Sequence, residues 1–384
     1  MTELRRVAPR DPAQALLWAN PGVDRTGGWD AARMDFDVLA EARAARDVIA
    51  GWPGYAPSPL HDLPATARAL GIAALSCKDE GGRFGLGSFK ALGAPYAVHR
   101  LLARAGRKPA DVTVACITDG NHGRALAWGA RQLGCRAVVY IPRGVSPARS
   151  EAIAAQGARV VPVDLVYDDA LEKLRADAAQ EGWDIVSDLA YPGYVELPRA
   201  CMAGYAVMVE EILAARATPP THVLIQGGCG GFAAAILAAF WARSGAARPH
   251  LTVIEPASAA CLMEAAEAGA PVRVDGELDT LMGGLACGVV SLAAWPILRD
   301  GVDAYMILPE AEIVPAMRDL ARPPGQDPAI VAGETGAAGL AALRMIAARP
   351  DFAARIGLGP DSDVLIFVCE GATDPDRYRE LVGG

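Results

Sequence analysis

Lysine is scarce in this 384-residue chain: only four of its 36 basic residues, at positions 78, 90, 108 and 173, are not arginine. Other features are missing altogether, and each absence excludes something. No window stays apolar long enough to span a bilayer. The opening stretch "MTELRRVAPRDPAQ" has no apolar signal core, so secretion is not expected and a cytoplasmic protein is. Positive charge is not in excess: the net charge is −9, which disfavours nucleic acid and anionic membranes as partners. The eight cysteines (77, 116, 135, 201, 229, 261, 287 and 369) form no C-x-x-C pair, so no metal centre is expected. No internal repeat of 20–50 residues is present, which excludes solenoids and propellers.

What remains is an ordinary globular composition, 52% apolar and 21% charged, in a chain long enough for two domains and a sizeable core. The middle alternates. Residues 112–117, 136–142, 158–164 and 183–188 read as strands, and 121–134, 146–157 and 167–182 as helices. Strands 221–226, 250–256 and 363–371 and a helix over 232–245 follow. Strands separated by helices of this length make parallel sheets, with ligands at the strands' carboxyl ends. The Pro-punctuated stretch 53–64 reads as an extended entry segment.

Three stretches carry chemistry. Lys90 lies in "RFGLGSFKALG", after glycines and at the start of an apolar helix. Unlike arginine, a lysine amine can lose its proton on desolvation, and the neutral amine forms Schiff bases with carbonyls. "QGGCGGF" places Gly227, Gly228, Cys229, Gly230 and Gly231 between a strand and a helix. Backbone N–H groups and the helix dipole make that arrangement a phosphate cradle; it is not a Walker loop, lacking Gly-Lys-Ser/Thr. "TDGNHGRALAW" sets Asp119, Asn121 and His122 at another strand end, more polar groups than a helix cap needs. A cofactor carrying both an aldehyde and a phosphate satisfies all three, and pyridoxal phosphate is that cofactor.

The blocks "KDEGGRFGLGSFKALG", "TDGNHGRALAW", "GGLACG", "GETGAAGL" and "EGATDPDRY" occur in an order that resembles the diaminopropionate ammonia-lyase family of fold-type II pyridoxal-phosphate enzymes, over nearly the whole chain. The resemblance implies an α/β fold like that of the tryptophan synthase β chain, with two open, twisted, mostly parallel sheets flanked by helices. It implies a large cofactor-binding domain from 1–92 and 201–384, a small inserted domain from 93–200, an active site between them and a homodimer. It makes Lys90 the cofactor's Schiff-base residue, lays Phe89 against the cofactor ring and bonds Asn121 to the ring hydroxyl oxygen. The loop Gly227–Gly231 holds the phosphate, Glu334 lies near the cofactor, and Cys369 stands by the pyridine nitrogen, where the family commonly has threonine. "DEGG" departs from the bulkier residue expected near Gly82.

The same resemblance puts Asp188 in the substrate pocket, where its charge would complement a second ammonium, and Asp119 in the reactive loop. His122 has two roles open, a proton shuttle or a group that orients its neighbours. Cys261 and Cys287 match cysteines of the family, and a disulfide and two reduced thiols stay open as alternatives. The implied reaction is α,β-elimination of 2,3-diaminopropionate, in the L and D forms, to pyruvate and ammonia. The substrate is a small amino acid, with no nucleic acid and no membrane partner. A serine/threonine-type dehydratase, a β-replacement synthase and a non-catalytic cofactor-binding protein are the alternatives; Asp119 and Asp188 favour the diamine lyase over the first two, and an intact Lys90 disfavours the last.

Overall fold

The computed structural model describes residues 4–118, 120–165 and 167–383. Its strands are β1 Arg5–Val7, β2 Leu16–Ala19, β3 Leu60–Asp62, β4 Ala74–Asp79, β5 Thr113–Ile117, β6 Arg136–Ile141, β7 Arg159–Pro162, β8 Asp184–Ile185, β9 His222–Gln226, β10 His250–Glu255, β11 Val272–Val274, β12 Ala304–Ile307 and β13 Asp363–Val368. A seven-stranded sheet runs β2-β12-β10-β9-β13-β4-β3, and a four-stranded sheet runs β7-β6-β5-β8. The four-stranded sheet is parallel throughout. The larger one is parallel inside, with Val364 opposite His222, and carries an antiparallel strand at each edge. The β1–β11 pair stands apart.

The β-branched and leucine content of β9 suits a strand covered on both faces, and all five of its residues are buried. Most expected elements are present with ends shifted by one to three residues. The expected strand over 183–188 shortens to Asp184–Ile185, because the chain turns out of the sheet after β8. The Pro-punctuated segment 53–64 is not purely extended entry chain. It contains β3, an edge strand bonded to β4 and positioned past the prolines that would break the ladder. Strands β4 and β12 and the helix Glu196–Ala215 were not among the expected elements.

Two helices form the seam between the sheets: Lys90–Ala105 and Glu196–Ala215. The expected domain boundaries, near 92 and 200, fall inside them. They cross in direct backbone contact, since a Cβ on Gly204 would lie 2.5 Å from the Leu92 carbonyl oxygen. Only glycine permits that approach.

Parallel pairing puts the chain segments that leave β4, β9 and β13 on one edge of the large sheet. The segments leaving β5 and β8 share the corresponding edge of the small sheet. Lys90, the glycine loop and Cys369 follow the first three strands; Asn121 and Asp188 follow the other two. Topology alone therefore brings the expected site together.

The segment before Lys90 is held by a buried ionic cluster. Lys78 on β4, 1% exposed, donates to Glu211 Oε2 at 2.6 Å and to the Ser58 carbonyl at 2.8 Å. Arg83 donates to Glu80 at 2.8 Å and to Glu211 at 2.7 Å, and the Tyr55 hydroxyl donates to Glu211 Oε1 at 3.0 Å. Burial pushes the Glu80 carboxyl up, but the Arg83 charge and its hydrogen bonds outweigh this and hold it below its ordinary value. Two carboxylates face two cations, so deleting one leaves uncompensated buried charge. Glu211→Ala should therefore cost about 3–5 kcal/mol of unfolding free energy in a urea titration. A loss below about 1 kcal/mol, as an exposed pair would give, would show the cluster to be dispensable.

Candidate active site

Lys90 opens its helix directly after Phe89, whose N–H donates to the Cys369 carbonyl at 3.0 Å. Its ammonium donates to Asp188 Oδ2, which lies just past the end of β8. Burial pulls the Lys90 amine down; the charge of Asp188, then Tyr205 and Cys229, outweigh this and hold it well above the ordinary lysine value. Burial likewise pushes the Asp188 carboxyl up, and the charges of Lys90 and His122 hold it well below the carboxylate range. Desolvation alone thus does not neutralise Lys90 in this state, as its isolation among apolar residues suggests it should; a paired carboxylate keeps the proton on.

His122 sits beside this pair. Its Nε2 lies 2.9 Å from the Val186 carbonyl, so Nε2 carries the hydrogen, and Nδ1 lies 3.9 Å from Asp188 Oδ2. Asn121, the first residue of the helix Asn121–Leu133, donates from Nδ2 to Glu370 Oε2. Asp119 lies outside the described residues.

The ring of Phe89 stacks on Phe232 at 4.3 Å between centroids and meets Tyr205 at 4.8 Å, so two aromatic neighbours fix it where it adjoins Lys90. Cys369 is buried, and burial keeps its thiol neutral by pushing its pKa well up. Glu334, half-buried in "GETG", lies next to Thr335, whose N–H donates to Glu370, and its charge reaches Glu370.

The glycine loop has the geometry of an anion cradle. Gly228 and Gly230 take left-handed φ values of 60° and 92°, and a Cβ on Gly230 would lie 2.5 Å from Leu298 Cδ1. The helix Gly231–Ser244 begins there and directs its dipole at the loop. Cys287 and the Gly231 N–H act on the Cys229 thiol and hold its pKa below the ordinary value against the upward push of burial. Cys261 and Cys287 are free thiols, the second of the two alternatives for that pair; Cys261 donates to the Gly228 carbonyl at 3.4 Å, and Cys287 turns to Cys229.

These groups fit pyridoxal phosphate. An amine, a glycine cradle at a helix N-terminus and an asparagine amide converge. Two buried hydroxyls near Lys90, Ser88 Oγ and Tyr205 Oη, have no hydrogen-bond partner among the described residues. Tyr205, Ser88 and Glu370 were not singled out in the sequence. Tyr205 sits in the apolar run 200–209 of its helix, and Ser88 resembles any turn serine. Glu370, a charge directly after a buried strand, was the one with a readable signal.

Residues 52–370 match the Pyridoxal-phosphate dependent enzyme family. A diaminopropionate ammonia-lyase of Salmonella typhimurium strain LT2 is 38% identical over 358 residues, covering 86% of this chain and 89% of the relative. The chain belongs to the diaminopropionate ammonia-lyase family. The crystal structure of the holo Escherichia coli lyase superposes with a TM-score of 0.89 at 32% identity, covering 98% of this chain and 97% of that one. The same lyase in complex with an aminoacrylate-PLP azomethine reaction intermediate superposes with a TM-score of 0.88 at 32% identity, covering 98% of each chain. The fold is fold-type II, the cofactor is pyridoxal phosphate, and the enzyme class is carbon–nitrogen lyase. No helix among the described residues is long and apolar enough to cross a membrane.

If Lys90 is the residue that bonds the cofactor aldehyde, its amine would have to be neutral to do so. Asp188→Asn removes the charge that raises the Lys90 pKa and leaves the burial that lowers it. The pH at which apoprotein takes up pyridoxal phosphate at half-maximal rate, followed by absorbance, should move downward in the variant. An unmoved or raised midpoint would mean that Asp188 does not hold the Lys90 proton.

Proposed function

We propose that the protein eliminates ammonia from 2,3-diaminopropionate, L and D, giving pyruvate and a second ammonia. One observation carries the substrate assignment: beside the cradle, Asp188 is already an ammonium receptor, occupied by Lys90. Once Lys90 engages the cofactor, that carboxylate is free for the substrate's second ammonium, a group that serine and threonine lack. Bound pyridoxal phosphate supplies an electron sink for the charge released at Cα.

The chain's own residues do the rest. The backbone of Gly227–Gly231 holds the phosphate, and Asn121 meets the ring hydroxyl oxygen. The freed Lys90 amine removes the Cα proton of the L substrate, a positioned base of a kind worth about 10²–10⁴-fold. Ammonia leaves from Cβ, and the released unsaturated amine hydrolyses to pyruvate. Lys90 reaches one side of the substrate only, so the D form needs a second base; Asp119 is that base in this proposal, on the strength of its place in "TDGNHG". The reading also includes a cytoplasmic homodimer and a small domain spanning 93–200, as the sequence resemblance implies.

A screen for pyruvate and ammonia release tests the substrate assignment, comparing both enantiomers of diaminopropionate with serine and threonine. Diaminopropionate should be the best substrate by kcat/KM, and Asp188→Asn should lower turnover of it more than residual turnover of serine. Equal losses on both would remove Asp188 from substrate recognition. Borohydride reduction with peptide mapping should place the cofactor on Lys90, and a label on Lys78, Lys108 or Lys173 would overturn that assignment.

Asp119→Asn should nearly abolish D turnover and largely spare L turnover. Asparagine keeps a helix cap, so a capping role, worth about 1 kcal/mol of stability, would leave both enantiomers nearly unaffected.

A further inference from the structure

We propose that Glu370 is a positioning residue: it locks the side-chain amide of Asn121 in one orientation and thereby sets which polar edge the cofactor's ring oxygen meets. This rests on the reading that Asn121 faces that oxygen. Nothing in the elimination chemistry requires a carboxylate at 370, yet the chain buries one there, 4% exposed, beside the site.

Both oxygens of Glu370 are committed. Oε2 accepts from Asn121 Nδ2, and Oε1 accepts from the Thr335 N–H at 3.2 Å. Its main chain is tied down too: Gly333 N–H donates to its carbonyl at 3.0 Å, and the residue bridges to Ser88, two positions before Lys90. Asn121 rises from the edge of the small sheet and Glu370 from the edge of the large one, so this contact crosses the seam beside the Lys90–Asp188 pair. Burial pushes the Glu370 carboxyl up, as the Glu334 charge does. The Thr335 N–H, the Arg149 charge and the Asn121 amide act against this without cancelling it, so the carboxyl stays above its ordinary value; both of its oxygens nevertheless face N–H donors, as an acceptor's do.

An ionised carboxylate only accepts hydrogen bonds. It therefore draws the NH₂ edge of Asn121 toward itself and excludes the flipped amide. One N–H is used, and the second N–H points away from Glu370 in a fixed direction. A glutamine at 370 offers a donor and an acceptor and permits both orientations. The ring oxygen of pyridoxal phosphate exists as an anion or as a hydroxyl. An N–H donor favours the anion and a C=O acceptor favours the hydroxyl. The two forms absorb at different wavelengths, so the lock is visible without turnover.

The experiment uses the holoenzyme and the variants E370Q, N121A and E370Q/N121A, with near-native circular dichroism as the entry condition. If E370Q does not fold, E370M, which removes the charge on a chain of similar length, takes its place. E370Q should shift the band ratio toward the hydroxyl form by about two- to tenfold, the size of one net hydrogen bond. Its kcat on diaminopropionate should fall about tenfold or more, as loss of an orienting partner does, with KM changed far less. In the N121A background E370Q should add nothing, because its effect passes through Asn121. A wild-type spectrum in E370Q, a shift toward the anion (which would signal a through-space charge effect), or additive effects in the double variant would each overturn the proposal. If N121A itself leaves the spectrum unchanged, the placement of Asn121 at the ring oxygen fails instead.

Discussion

The partly buried pair of Lys90 and Asp188 is the interaction on which the site depends. One partner opens a seam helix; the other ends a short strand of the small sheet. Neither charge would be stable alone at that depth, and each keeps the other ionised. The pair does two things at once. It ties the edges of two sheets together, and it keeps the Lys90 amine protonated.

Behind Lys90 the cluster of Lys78, Glu80, Arg83 and Glu211 works differently. It touches no reacting group in the proposed mechanism. Its members come from β4, from the turn after it and from the helix Glu196–Ala215. Four compensated charges at these positions fix the path of the chain from residue 78 to residue 89, and therefore where the Lys90 amine can reach. A purely apolar packing could stabilise this region as well; the directional hydrogen bonds add a defined register between the turn and the seam helix.

The parts of this architecture that alternate were legible in the sequence, because strand–helix alternation and glycine punctuation are local signals. The small sheet and its helices emerge from 112–182 with ends within three residues, and the glycine loop is visible as a loop. Strands β4 and β12 were not legible: β4 reads ALSCKD, with polar residues and no β-branched run, and β12 is only four residues long. The pairing of Asp188 with Lys90 was invisible because the two lie 98 positions apart. Glu370 was missed although it stands out chemically, since its meaning comes from Asn121, 249 positions away. The choice between a disulfide and free thiols for Cys261 and Cys287 turned on a third cysteine, Cys229, already assigned to the cradle.

Because Lys78 is buried and Lys90 is mostly covered and paired with Asp188, the lysine ammoniums most open to solvent are those of Lys108 and Lys173. One precedes β5 and the other rides on the helix Tyr167–Glu181, so both lie on the side of the four-stranded sheet. Amine-reactive supports or dyes directed at lysine would therefore anchor the molecule by that side. Immobilised in this way it would present the seven-stranded sheet outward, with Lys90 held back from the coupling reagent by its pairing with Asp188.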